Sequence, residues 1–306
     1  MESWHHHRRV FWFFSLPPTL WLVVFFLLPL ALVWLLSFGE KRGIVEIAIT
    51  GTLGNYRRAL EPLYLWIFVK SFWVASLTTL ICLLVALPIA MVIAFSPPRW
   101  KPWLLLLVIL PFWTNLLIRT YALIAVLRTK GYLNAGLELL WSAASALLQL
   151  IGLDATSLLG TRFQPLELLY NNFAVVFGLV YVHLPFMVLP LYATLDRLDK
   201  TYLEASLDLG ASQWHTFWYV VVPLALPGIL SGVLITFIPA LGSFLTPTLL
   251  GGPDSQLLGT VIERQFKSAN DWPFGAALSF LLMYTLFFAL AVRVFFHTRG
   301  TASEAP

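Results

Sequence analysis

Charge is scarce in this sequence: 11% of its 306 residues are Asp, Glu, Lys or Arg, against 59% that are hydrophobic. Soluble globular chains are roughly a quarter charged and about half apolar, so a water-facing fold is excluded because too little polar side chain exists to cover it. Cysteine is nearly missing too. The single Cys82 rules out an intramolecular disulfide, leaves the compartment unread from redox chemistry, and, inside an apolar block, reads as a packing residue. The acidic residues number 15, and none falls within the long apolar blocks. A self-contained secondary transporter would need a titratable carboxylate at mid-membrane. A membrane enzyme would need a convergent set of nucleophile, acid or metal ligands. Neither is visible, so no catalytic residue and no metal site is assigned. No lysine follows a Gly-x-x-x-x-Gly run, so the chain has no phosphate-cradling loop. The basic residues leave a net charge of +4 but come singly or in pairs, which argues against a nucleic-acid partner.

What the sequence has is apolar blocks near the length that a helix needs to cross about 30 Å of hydrocarbon. They run over 16–38, 71–96, 103–127, 173–195, 226–246 and 274–296, predicting an all-α polytopic membrane protein of about six transmembrane helices. The basic N-terminus before the first block is that of an uncleaved first span, since the apolar run is too long for a signal peptide and offers no small-residue cleavage site. His5, His6 and His7 are read as a solvated tail or a cloning remnant, with metal binding as the alternative.

Orientation rests on Lys and Arg near the span ends. With the N-terminus inside, Arg8, Arg9, Arg99, Lys101, Arg197, Lys200, Arg293 and Arg299 are cytoplasmic. Lys41, Arg42, Arg57, Arg58, Arg128, Lys130, Arg162, Arg264 and Lys267 are outside. The counts are nearly equal, but the inside segments are shorter and so denser in positive charge. This predicts a cytoplasmic tail over 1–15, a transmembrane domain over 16–296 and a cytoplasmic tail over 297–306. An outer loop covers 128–172. Within it, 137–153 tempts a seventh crossing, but its length and its Glu138, Ser142, Ser145 and Gln149 fit an amphipathic surface helix or a re-entrant piece. Prolines at 29, 88, 111, 185, 190 and 239 predict kinked helices around a cavity, where freed carbonyls find neighbours or water.

The cytoplasmic loop over about 196–222 is the least lipid-like long stretch of the second half. Tyr202 to Leu209 forms a helix ended by Gly210, and Ser212 caps a second short one leading past Trp214, Phe217, Trp218 and Tyr219 to Pro223. Polar on top and aromatic underneath, such an elbow fits a groove on another protein. It reads equally as a loop resting on lipid headgroups.

EASLDLGAS (204–212) followed by FWYVVVPLALPGI (217–229) resembles the signature loop of binding-protein-dependent ABC permeases. Glu204, Ala205, Gly210, Ala211, Phe217, Pro223, Pro227 and Gly228 match it, while Ser206 stands where that family has Ala. PFWTNLLIRTYA (111–122), KGYLN (130–134), GLVYVHLPFMVLPLYATLDRLDK (178–200) and DWPFGAA (271–277) further resemble the spermidine/putrescine permeases. The resemblance implies a type I importer fold in a bacterial inner membrane. It also implies a second permease subunit, two ATPase subunits that hold the ATP and Mg, and an external polyamine-binding protein. This chain would bind no cofactor. Another small substrate, amino-acid-like or a phosphonate, remains open within the class.

A polyamine path calls for carboxylates or aromatic faces. Asp254, Glu263 and Asp271 lie in the outer loop before the last block. Trp113, Asn115, Tyr121, Tyr181, Phe186 and Phe244 lie on spans and are the candidate path residues together with Glu263 and Asp271; Phe112 and Phe237 are further aromatics. Each reads also as packing, an interface anchor or a solvated loop charge. Arg119, deep in the third block, is expected to need a structural partner, Glu263 or Asp271, or to reach the outer interface. Lys70 invites the same reading. His183 is either a pH-sensitive path residue or a hydrogen-bonded packing residue.

Overall fold

The computed structural model describes residues 8–43, 46–150 and 162–302, so the His5–His7 reading and the 151–153 end of the amphipathic segment lie outside it. Lipid offers no partner to a backbone N–H or C=O, so apolar segments close their hydrogen bonds internally as helices. Four are long and apolar enough to span: Phe11–Leu36, Pro62–Phe95, Asn172–Leu195 and Gln213–Leu241. The stretch predicted as the third span is broken. Helix α5 (Lys101–Ile109) runs into a 3-10 turn at Leu110–Trp113, and α6 (Leu116–Leu127) starts afresh. The axis of 116–149 stands at 94° to that of 101–113. Pro111 has no N–H to continue the helix, Thr114 and Asn115 turn extended, and the Asn115 side chain caps α6 by accepting from Leu117 N at 2.8 Å. The stretch predicted as the sixth span lies on a helix, α14 (Trp272–Ala302), whose apolar part among the described residues, Trp272–Phe288, is shorter than the four spans.

The chain divides into two compact units, Met1–Trp66 with Val261–Pro306, and Ile67–Thr260. The first holds α1 (Arg8–Leu22), a π turn at Val23–Leu27, α2 (Leu28–Leu36), a hairpin of β1 (Gly39–Lys41) and β2 (Ile47–Ile49), α3 (Gly54–Ala59) and most of α13 (Leu258–Lys267). Side chains tie these to α14. Trp34 Nε1 donates to the Tyr284 hydroxyl at 2.7 Å, and Lys41 Nζ donates to the Ala269 carbonyl at 2.7 Å. Arg58 pairs with Asp271 at 2.8 Å and lies 4.0 Å over the ring of Phe274. Asp271 also accepts from Phe274 N, so one carboxylate starts α14 and anchors α3.

The second unit contains most of α4 (Pro62–Phe95), α5 to α7 (Tyr132–Leu150), α8 (Asn172–Leu195), α9 (Thr201–Asp208), α10 (Gln213–Thr216), α11 (Val222–Leu241) and α12 (Leu245–Leu250). Its interior is lined by small residues, Cys82, Ala86, Ala90 and Ala94 of α4 and Ala225 of α11, packed with Met187, Val188 and Leu191 of α8. Without a hydrophobic drive between helices in lipid, such small residues permit the close approach that dispersion needs. The seam of α8 and α11 is close: a Cβ at Gly228 would lie 2.5 Å from Thr194 Oγ1 and 3.0 Å from the Pro190 carbonyl, and one at Gly232 would lie 2.7 Å from Met187 Sδ.

Which ends share a side of the unit follows from its ties. Lys101 Nζ meets Asp196 Oδ1 at 2.6 Å, placing the start of α5 beside the end of α8. At the opposite end Leu127, Ala174 and Leu250 share one buried cluster, Tyr170 N donates to the Leu250 carbonyl at 3.0 Å, and Lys70 Nζ donates to the Asp254 carbonyl. Hence the 101–127 segment crosses from one end to the other despite its break. Asn134, at the start of α7, both donates to the Leu166 carbonyl and accepts from its N–H, each at 2.9 Å. The excursion through α7 therefore begins and returns at the same end of the unit.

Candidate functional site

The loop after α8 is built as a two-armed elbow. Asp199 Oδ1 accepts from Thr201 N at 3.0 Å to start α9, and that bond holds the Asp199 carboxyl below its ordinary value. Helix α9 ends through Ala211 N, which donates to the Ser206 carbonyl, while Gly210 takes φ +85°, the left-handed turn that a residue without Cβ adopts freely. Ser212 Oγ accepts from His215 N to cap α10, and a π turn at Phe217–Val221 carries the chain into α11.

Its faces differ from the expectation. Leu203 and Phe217 do pack on the buried cluster of α4, α8 and α11. Trp214 and Tyr219, however, are 71% and 72% exposed, Trp218 is 58% exposed and Leu209 is 89% exposed. The aromatics are thus not all underneath: only Phe217 faces the bundle. Trp214 on α10 and Trp218 in the π turn are exposed, and Tyr219 stacks on His215 at 4.7 Å. Glu204 and Ala205 are exposed and Ala211 half-buried. Pro223 and Pro227 lie exposed on the rising helix, and Gly228 is buried against α8. The signature residues therefore split into an exposed arm and a packed hinge. Two features escaped the sequence reading: the Lys101–Asp196 pair at the base, and the Ser206 and Thr216 hydroxyls, 2.9 Å apart across the elbow. The second had a legible signal in the Ser that replaces the usual Ala.

The candidate path residues do not form one cluster. Phe186 packs edge-on against Phe112 at 4.8 Å and near His183 at 6.1 Å. Trp113 (77% exposed), Tyr121, Tyr181 and Phe244 lie on the surface of the second unit, and Asn115 is occupied as a cap. Phe237 meets Phe72 at 5.2 Å. In the first unit Asp271 is taken by Arg58 and Glu263 by Lys267 at 3.0 Å. Within the second unit the Arg119 guanidinium lies 5.6 Å over Phe112, with Nε buried and without a hydrogen-bond partner. A ring quadrupole is a weaker partner than a carboxylate but carries no charge to desolvate. Lys70 is met by a backbone carbonyl. His183 is buried, its Nδ1 2.8 Å from the Leu179 carbonyl, which is the packing reading. Among the described residues no group of His, Cys, Asp and Glu could hold a metal ion.

Comparison with known proteins places this geometry. Residues 7–298 match the family described as the binding-protein-dependent transport system inner membrane component. The chain is 42% identical over 272 residues, 89% of this chain and 92% of the other, to the spermidine/putrescine transport system permease protein PotB of Escherichia coli K12. It is 39% identical over 276 residues to the protein of that name from Haemophilus influenzae, covering 90% of this chain and 89% of the other. To the inner membrane ABC transporter permease protein YdcU of E. coli K12 it is 30% identical over 301 residues, 95% and 91% of the two chains. Among solved structures, a bacterial ABC transporter that imports alginate aligns with TM-score 0.66 at 14% identity over 99% of both chains. The same kind of transporter bound to its alginate-loaded periplasmic protein aligns with TM-score 0.69 over 96% of both. At that identity the likeness carries the fold, and the sequence matches carry the family: this chain belongs to the inner membrane components of binding-protein-dependent transport systems.

Proposed function

We propose that this chain is the membrane-spanning permease subunit of an ATP-driven importer that carries polyamines, spermidine and putrescine, delivered by an external binding protein. The observation that carries the substrate is the 42% identity to a spermidine/putrescine permease across nearly the whole of both chains. Two ATPase subunits supply the energy from the cytoplasmic side, and a second permease subunit completes the passage. The N-terminus is cytoplasmic, which puts Lys101, Asp196 and the elbow on the ATPase side and the outer loop over 128–172 on the binding-protein side.

The elbow does the coupling. Nucleotide closes the ATPase dimer and moves the arm that carries Glu204, Ala205 and Gly210. Because Phe217 packs on the bundle and Gly228 seats α11 against α8, that displacement tilts α11 and biases the bundle between inward- and outward-open states. Exposed aromatic faces at Trp113, Tyr121, Tyr181 and Phe244 line the route of the cation, each holding a desolvated ammonium by ~1 to 2 kcal/mol, weak enough for release. Phe186 backs them, and Arg119 stays structural. Asp271 and Glu263, in the first unit, are further candidate ligands for the cation, exchanging their present cationic partners for the substrate.

The test is uptake of radiolabelled spermidine by proteoliposomes containing the whole complex. Glu204→Lys should insert normally, abolish uptake and loosen the ATPase. Uptake that continues with a non-hydrolysable ATP analogue, or unimpaired transport and ATPase co-purification by Glu204→Lys, would refute the coupling.

A further inference from the structure

The two arms of the elbow meet at the hydroxyls of Ser206 and Thr216, 2.9 Å apart. Ser206 is half-buried and Thr216 is 6% exposed. Between them the chain turns at Gly210, which takes a left-handed φ and would meet no atom within 4 Å if it carried a Cβ. Nothing packed therefore stiffens the turn itself. The Ser206 carbonyl already holds Ala211 N at 3.2 Å, so this one residue is bonded to the turn through its backbone and to the second arm through its side chain. Thr216 adjoins Phe217, whose ring rests on the bundle. The shortest bonded route from the exposed face of α9 to the interior thus runs from Ser206 to Thr216 to Phe217.

We propose that the Ser206–Thr216 pair is a positioning latch that fixes the angle of the elbow. A displacement of α9 is then delivered to α11 and is not absorbed by flexing at Gly210 and Ala211. The latch rests on the coupling reading above. A buried hydroxyl pair of this kind contributes about 1 kcal/mol, enough to change the population of a bent elbow by about fivefold. Its loss should loosen the gearing while leaving assembly intact.

The discriminating quantity is ATP hydrolysed per spermidine imported by the reconstituted complex, a ratio independent of how much complex assembles. Ser206→Ala and Thr216→Val should each raise it about threefold to fivefold, the double variant should raise it no further, and Thr216→Ser, which keeps the hydroxyl, should stay at the wild-type ratio. Glu204→Lys is the control for the underlying reading. If it abolishes uptake while the single hydroxyl variants leave the ratio unchanged, or their effects multiply in the double variant, the latch is wrong and the coupling stands. If Glu204→Lys transports normally, the coupling fails and the latch with it.

Discussion

Replacing Gly228 by alanine perturbs the α8 and α11 seam with one methyl group. That methyl would lie 2.5 Å from Thr194 Oγ1, 2.8 Å from Thr194 Cβ and 3.0 Å from the Pro190 carbonyl. Thr194 Oγ1 is itself held to that carbonyl at 3.0 Å, so neither obstacle can swing clear without breaking a bond or moving backbone. Forcing a methylene into such a site costs about 1 to 3 kcal/mol. For a chain of this size that corresponds to a melting shift of roughly 2 to 4 °C per kcal/mol, hence a fall of several degrees. Gly232→Ala is the internal control. Its methyl meets Met187 Sδ at 2.7 Å, with backbone no nearer than 3.4 Å, and an unbranched thioether re-packs; the cost should be about 1 kcal/mol or less. Thermal unfolding of the purified complex in detergent, followed by the loss of monodisperse protein, reads both. Adding Thr194→Ala to Gly228→Ala should recover part of the loss, because it removes the nearer oxygen but not the Cβ. A Gly232→Ala shift equal to or larger than that of Gly228→Ala would refute the claim that rigid close approach, and not mere smallness, selects glycine at 228.

Sidedness gives a second prediction. In a Cys82→Ser background, a cysteine at Leu209 should react with an impermeant maleimide only from the cytoplasmic face, and cysteines at Lys130 and Arg162 only from the outer face; opposite sides for 130 and 162 would restore the seventh crossing. The base of the elbow gives a third. Lys101→Asp should lower complex stability by up to about 1 kcal/mol, since both partners are a quarter to a third exposed, and Lys101→Asp with Asp196→Lys should restore it; a double variant no better than the single would mean that the pair is incidental.

Much of this was legible because the physics that selects apolar runs is coarse. Six blocks free of acidic residues locate the apolar helices, but not their ends or their continuity: four are full spans, the third is a bent pair and the sixth is a shorter apolar helix among the described residues. The fifth starts well before 226, because α10, a π turn and α11 run on as one helix from Gln213 to Leu241, and Gln, His and Trp at an interface depress hydropathy without breaking a helix. The break in the third block was harder to read. Pro111 predicts a kink, yet whether a proline bends a helix or ends it depends on what takes over the freed groups, and here Asn115 offers a cap two residues beyond the 3-10 turn at Leu110–Trp113. Pairing of charges was the least legible. The sequence offers Glu263 and Asp271 to Arg119 because a buried cation seeks a carboxylate, but it does not show that Lys267 pairs with Glu263 one helical turn away or that Arg58 reaches Asp271 from α3.

The signature loop shows why a motif can be recognised before its parts are understood. Read as a string, Glu204 through Gly228 is one unit. In the fold it serves two ends: Glu204, Ala205 and Gly210 are presented to solvent, while Phe217 and Gly228 are held by the bundle. A segment built only for docking would not need a glycine whose Cβ would strike the neighbouring helix, and a segment built only for packing would not leave Leu209 and Trp214 uncovered. The combination suits a lever, which must be gripped at one end and seated at the other. It follows that substitutions in the first half should change how the ATPase is engaged, whereas those in the second half should change how α11 moves once it is.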